Sequence, residues 1–118
     1  FCAPDVLYSA QETPFGIHGG DRETSLMLNF RTETVYMANA VAFSSSAEHT
    51  EISPIGPVSY GWVATDLNPD GTVGEAHLAT AEKGKATCEH QIKGFIDLLY
   101  DVKKTRLGKI VPTIGGPR

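Results

Sequence analysis

Four histidines, His18, His49, His77 and His90, are the side chains of this sequence best matched to proton transfer near neutral pH, because imidazole ordinarily titrates near about 6.5. His18 has the most suggestive setting. It lies between Gly16 and Gly19-Gly20, so the backbone on both sides can approach a ligand closely and reach positive φ, and a helix start follows at Asp21. Glu23 would face His18 only if the intervening loop folds back. On spacing alone it is a first-turn carboxylate suited to the positive end of a helix dipole. The residues by themselves therefore leave two readings of His18, a turn-forming residue or a functional one. His49, in a serine-rich stretch, and His90, beside Glu89 in a helical stretch, read as solvated or capping residues, and His77 as a capping or packing residue ahead of a helix.

Other chemistries lack a pattern. The sequence holds no His-Glu-x-x-His, no Gly-x-x-x-x-Gly-Lys-Ser/Thr and no Gly-x-Ser-x-Gly, which leaves zinc peptidase, phosphate-loop and serine-hydrolase readings without support. Asp66-Leu67-Asn68-Pro69-Asp70-Gly71 has the composition of a turn rather than the ligand spacing of a calcium loop. Cys2 and Cys88 are too few for a disulfide scaffold and form no Cys-x-x-Cys pair, so a reducing, cytoplasmic setting is expected.

The elements that must position His18 follow from pattern. Residues 1–20 are rich in Pro and Gly and are expected to form a structured loop. Asp21 is expected as N-cap of a helix over 21–31, with Leu26, Met27 and Phe30 at helical spacing. Residues 34–43 fit either a strand or a short helical extension, and Ser44 to Pro57 an exposed loop. Val58 to Thr65, with Tyr60, Trp62 and Val63, has strand composition, and a small hairpin is possible around Thr72-Val73-Gly74. A long helix is expected over 78–104, with Ile92, Phe95, Ile96, Leu99 and Val102 on the face that would pack on a sheet. Residues 105–118 are expected as a frayed tail.

At 118 residues the chain is long enough for one domain or a part of one. One strand and two helices are few for a complete α/β domain of that length. The first residue is Phe1, and no signal peptide follows it, so the expectation is that the chain begins within a longer protein. Ten basic against fourteen acidic residues give a net charge of −4, which offers no electrostatic footprint for nucleic acid or an anionic membrane. No apolar run approaches the roughly 18 residues of a membrane span.

His18-Gly19-Gly20-Asp21-Arg22-Glu23-Thr24-Ser25-Leu26-Met27-Leu28 resembles the His-Gly…Glu-Thr-Ser-Leu-Met-Leu segment of the creatininase family. Gly61-Trp62, Asp66-Leu67-Asn68-Pro69 and Ala79-Thr80-Ala81-Glu82-Lys83-Gly84 resemble the region that follows it there. The resemblance implies a three-layer α/β/α sandwich with a mostly parallel sheet, of which this chain would supply only the C-terminal part. It implies metal-dependent hydrolysis of a C–N amide bond, in a cyclic amide or a formamide, by metal-activated water. His18 then matches the proton-donating histidine, Glu23 a catalytic or orienting glutamate, and Gly19 and Gly20 substrate-contacting backbone. The divalent metal, zinc, manganese or iron, would be held by ligands on the missing N-terminal half of the same protein, with none in this chain. A small amide substrate, that N-terminal half and a homo-oligomer, a hexamer in the family, are the implied partners. Creatininase itself has a tryptophan and an acidic residue ahead of the histidine, where Pro14, Phe15 and Ile17 stand here, so creatinine is not the expected substrate. The alternative is a non-catalytic creatininase-like module serving oligomer contacts.

Overall fold

The computed structural model describes residues 4–105. In chain order it contains α1 (Glu12–Phe15), α2 (Asp21–Arg31), β1 (Ala42–Phe43), α3 (Ala64–Leu67), β2 (Gly74–Glu75) and α4 (Ala81–Lys104), with short 3-10 turns in several of the intervening segments. Helix α2 forms over the expected span, but its cap differs. Gly20, with extended backbone, is the N-cap and offers no side chain, while Asp21 is the first helical residue. Acidic Asp21 and Glu23 in the first turn and Arg31 in the last both suit the helix dipole.

Helix α4 starts three residues later than expected. Ala76–Leu78 form a 3-10 turn, and the helix begins where the Thr80 hydroxyl accepts the Lys83 N–H at 3.2 Å, satisfying an otherwise unpaired donor. Its first half packs on α2 rather than on a sheet. A Cβ at Gly84 would collide with the carbonyl of Ser25, so the absence of a side chain there lets the two backbones meet. Across that contact Lys83 Nζ lies 2.5 Å from Asp21 Oδ2, Ser25 Oγ donates to Asp21 Oδ1 at 2.9 Å, and the Thr80 N–H donates to Ser25 Oγ at 3.1 Å. Asp21 is fully buried, a location that costs a carboxylate heavily unless it is paired and hydrogen-bonded, as it is here. The second half of α4 shows its apolar face to solvent: Ile92, Ile96, Leu99 and Val102 are 46–60% exposed.

The sheet is small. Strands β1 and β2 pair antiparallel, with Ala42 opposite Glu75 and Phe43 opposite Gly74, and an isolated bridge joins His18 to Val73. The described residues thus form a mixed α and β structure, and the mostly parallel three-layer sheet is not built from them. The expected strand over 58–65 is absent: residues 58–63 are bends and irregular backbone, and 64–67 turn into α3. Strand-forming residues need a neighbouring strand to satisfy their backbone. Here the local bonds go elsewhere, with the Trp62 indole N–H donating to the Pro54 carbonyl at 2.9 Å and the Val63 N–H to Asp66 Oδ2 at 2.9 Å. Of residues 34–43, only Ala42 and Phe43 are strand, and Met37–Asn39 form a 3-10 turn. The loop expected up to residue 20 contains α1, and the expected tail from residue 106 lies outside the described residues.

The apolar core is correspondingly modest. Ala47, Leu67 and Val73 are buried, with Phe15, Ile17 and Trp62 packed against them. A radius of gyration of 18.9 Å exceeds the roughly 13 Å of a compact 100-residue domain, as the projecting α4 requires.

Candidate functional site

The loop between α1 and α2 carries the site. Gly19 adopts φ of +74°, a left-handed conformation that favours glycine, and a Cβ there would collide with the Thr72 hydroxyl. This turn folds the chain back, so that Glu23, in the first turn of α2, reaches the loop ahead of it. Glu23 Oε2 accepts the Gly19 N–H at 2.6 Å and lies 3.8 Å from His18 Nδ1. That separation is an electrostatic contact rather than a hydrogen bond. Both side chains are about half exposed, at 52% and 54%, so solvent can reach them.

The His18 backbone is clamped from the far side. Its carbonyl accepts the Val73 N–H at 2.8 Å and the Thr72 hydroxyl at 2.9 Å, while the Thr24 hydroxyl donates to the Gly19 carbonyl at 3.2 Å. The imidazole is therefore mounted on a peptide held by two separate segments. A cleft of about 330 Å³ opens beside Glu23, lined by Gly19, Thr24, Met27, Val35 and Tyr36 among others.

Beneath this pair lies a residue that sequence reasoning passed over. Glu12, in α1, is 1% exposed. Its Oε1 accepts the Arg22 N–H at 3.1 Å and its Oε2 the Glu75 N–H at 2.8 Å. It thus caps α2 in place of the side chain that Gly20 lacks. The carboxylate sits in a cradle of glycines from three segments: a Cβ at Gly16 would overlap it, one at Gly20 would fall 2.5 Å from Oε1, and one at Gly74 2.6 Å from Oε2. Among the described residues no cation lies within ion-pairing distance of it. The glycine spacing in the sequence was the available signal, but its meaning depends on β2 arriving from far along the chain.

The structure brings His18, Gly19, Gly20 and Glu23 together. Gly19 and Gly20 each have a packing reason to be glycine, independent of any substrate. His49, His77 and His90 are exposed and lie outside the cluster, and the N-cap ahead of α4 is Thr80 rather than His77. His18 and Glu23 offer two donor groups, and among the described residues no group of three or more His, Cys, Asp or Glu could hold a metal ion. These two residues alone therefore do not make up a metal site.

A family model for creatinine amidohydrolase, creatininase, matches residues 2–99. The chain belongs to the creatininase family. Neither the curated proteins nor the solved structures contain a significant match. Creatininase membership points in general to a divalent-metal-dependent hydrolase of C–N amide bonds. The matched span includes His18 and Glu23.

Proposed function

We propose that this chain supplies the proton-transfer half of a creatininase-type amidohydrolase acting on a cyclic amide or a formamide. His18 protonates the departing nitrogen, and Glu23 faces the imidazole on its Nδ1 side, leaving Nε2 to hand over the proton. The observation that carries this reading is the approach of Glu23 Oε2 to 3.8 Å from His18 Nδ1, with the same oxygen anchored by the Gly19 N–H. A carboxylate in that place lies on the side of the ring opposite the nitrogen that hands over the proton. Gly19 and Gly20 border the substrate, and the cleft at Met27, Val35 and Tyr36 offers room for its apolar part.

In this reading zinc, manganese or iron is held by residues of an N-terminal half that completes a three-layer α/β/α domain. The apolar stripe of α4 at Ile92, Ile96 and Leu99 is the face on which that sheet packs, since an amphipathic helix gains by covering its apolar side. The complete protein acts in the cytoplasm as a homo-oligomer.

The test is His18→Ala in the full protein. We expect kcat to fall roughly 10²- to 10⁴-fold, the range for losing a general acid, with bound metal unchanged. Near-normal turnover would leave His18 as a turn residue and favour the non-catalytic module. Loss of metal would make His18 a ligand instead of a proton donor.

A further inference from the structure

Glu12 poses a question that capping alone does not answer. A carboxylate 1% exposed and, among the described residues, without a cation at ion-pairing distance is costly, and a Ser or Asp at position 20 would have capped α2 locally at far smaller cost. Instead, Gly16, Gly20 and Gly74 give up their side chains to make room for it. What Glu12 does that a local cap could not is bridge two segments. Oε1 holds the Arg22 N–H in the first turn of α2, and Oε2 holds the Glu75 N–H in β2.

Those are the segments on which the site hangs. The first turn of α2 carries Glu23, and the residues leading into β2, Thr72 and Val73, hold the His18 carbonyl. If the two segments slid relative to each other, the His18 peptide, held by Thr72 and Val73 on one side and tied to α2 through Gly19 on the other, would be pulled out of its place beside Glu23. We infer that Glu12 is a positioning residue for the His18–Glu23 pair, its buried carboxylate fixing the distance between the segment that mounts the imidazole and the helix that mounts its partner. The inference rests on the proton-transfer reading of His18 for its catalytic consequence, though not for its geometry.

Glu12→Gln in the full protein tests it. The amide keeps the shape but turns an NH2 toward one of the two backbone donors, leaving that donor unpaired and releasing one segment. We expect kcat to fall about 10- to 100-fold, as a misplacement on the scale of an ångström does, while KM and bound metal stay within about twofold of the parent. A positioning residue shifts kcat at temperatures where the variant is fully folded, whereas a merely stabilising one does not. A kcat within about twofold of the parent, or a deficit that vanishes on cooling, would overturn the inference.

Gly16→Ala provides a second route. Its Cβ would overlap the Glu12 carboxylate while leaving the charge in place, so it should reproduce the kcat loss and add little when combined with Glu12→Gln. It decides the matter if Glu12→Gln does not fold. An NMR readout separates this inference from the proton-transfer reading. The His18 Cε1–H resonance should be a single sharp line in the parent and should broaden or split in both variants. If it is unchanged in both, the positioning role fails whatever the activity. If it broadens while His18→Ala is fully active, the positioning stands and the catalytic reading falls.

Discussion

Around Glu12 the molecule buries polar groups and hydrogen-bonds them, Arg22 Nε excepted, whereas along residues 92–102 of α4 it exposes an apolar stripe. In the first region the most deeply buried side chains are largely polar. Glu12, Asp21, Ser25 and Thr87 are each at most 1% exposed and are held by backbone N–H groups, Lys83 and the Tyr8 hydroxyl. In the second, residues whose burial would contribute about 1.5–3 kcal/mol each face solvent. The difference separates two ways of specifying structure. The knot is determined by directional bonds within the chain, while the stripe has the pattern of a core helix whose cover the described residues do not supply.

The largest effect should come from breaking the knot's charge pair. Lys83→Met leaves the fully buried Asp21 without its cation, and we expect a loss of about 3–5 kcal/mol in urea unfolding, toward the lower end because Lys83 itself is partly exposed. A loss below about 1 kcal/mol would mean that Ser25 and the helix start suffice for Asp21. Gly84→Ala should follow, at about 1–3 kcal/mol for overpacking, because the added Cβ meets the Ser25 backbone rather than a movable side chain. Thermal melting of the variant beside the parent would show it.

On the stripe the expectation reverses. In the chain expressed alone, Ile96→Lys with Leu99→Lys should leave stability within about 0.5 kcal/mol and lower aggregation measured by light scattering. An unfolded double variant would show that the stripe is already covered. The smallest effect belongs to the surface pair Lys93 and Asp97, 2.8 Å apart. Hydrogen bonding and the charge of Asp97 raise the Lys93 pKa above its ordinary 10.5. Its contribution is therefore present at neutral pH and is lost only as pH rises past that value. Both side chains are exposed, so Asp97→Asn should not move the melting midpoint at pH 7, while NMR should find Lys93 titrating at lower pH than in the parent.

How far the sequence reveals these regions depends on whether the deciding partner is local. Helices α2 and α4 are legible because helical spacing of Leu26, Met27 and Phe30, and of Ile92, Ile96 and Leu99, needs no knowledge of the partner. The start of α2 is misread by one residue because its cap comes from Glu12 rather than from Asp21. Val58 to Thr65 misleads because strand composition says nothing about whether a strand is available to pair with, and Trp62 bonds to Pro54 instead. His18 and Glu23 are legible as residue types in a motif, but their approach depends on the left-handed turn at Gly19. Glu12 is invisible to pattern because its partners are backbone N–H groups of Arg22 and Glu75, which any sequence possesses.

The central claim is that His18 hands a proton to the departing nitrogen, and leaving-group dependence tests it most directly. The measurement is kcat for the parent and for His18→Ala, both folded and metal-replete, across substituted anilides or formanilides of graded amine basicity. An amine that departs readily needs no donor. The account therefore predicts a deficit of roughly 10²-fold or more for the most basic leaving group, shrinking toward parity for the least basic. A deficit that stays constant across the series, or no deficit at all, would contradict it.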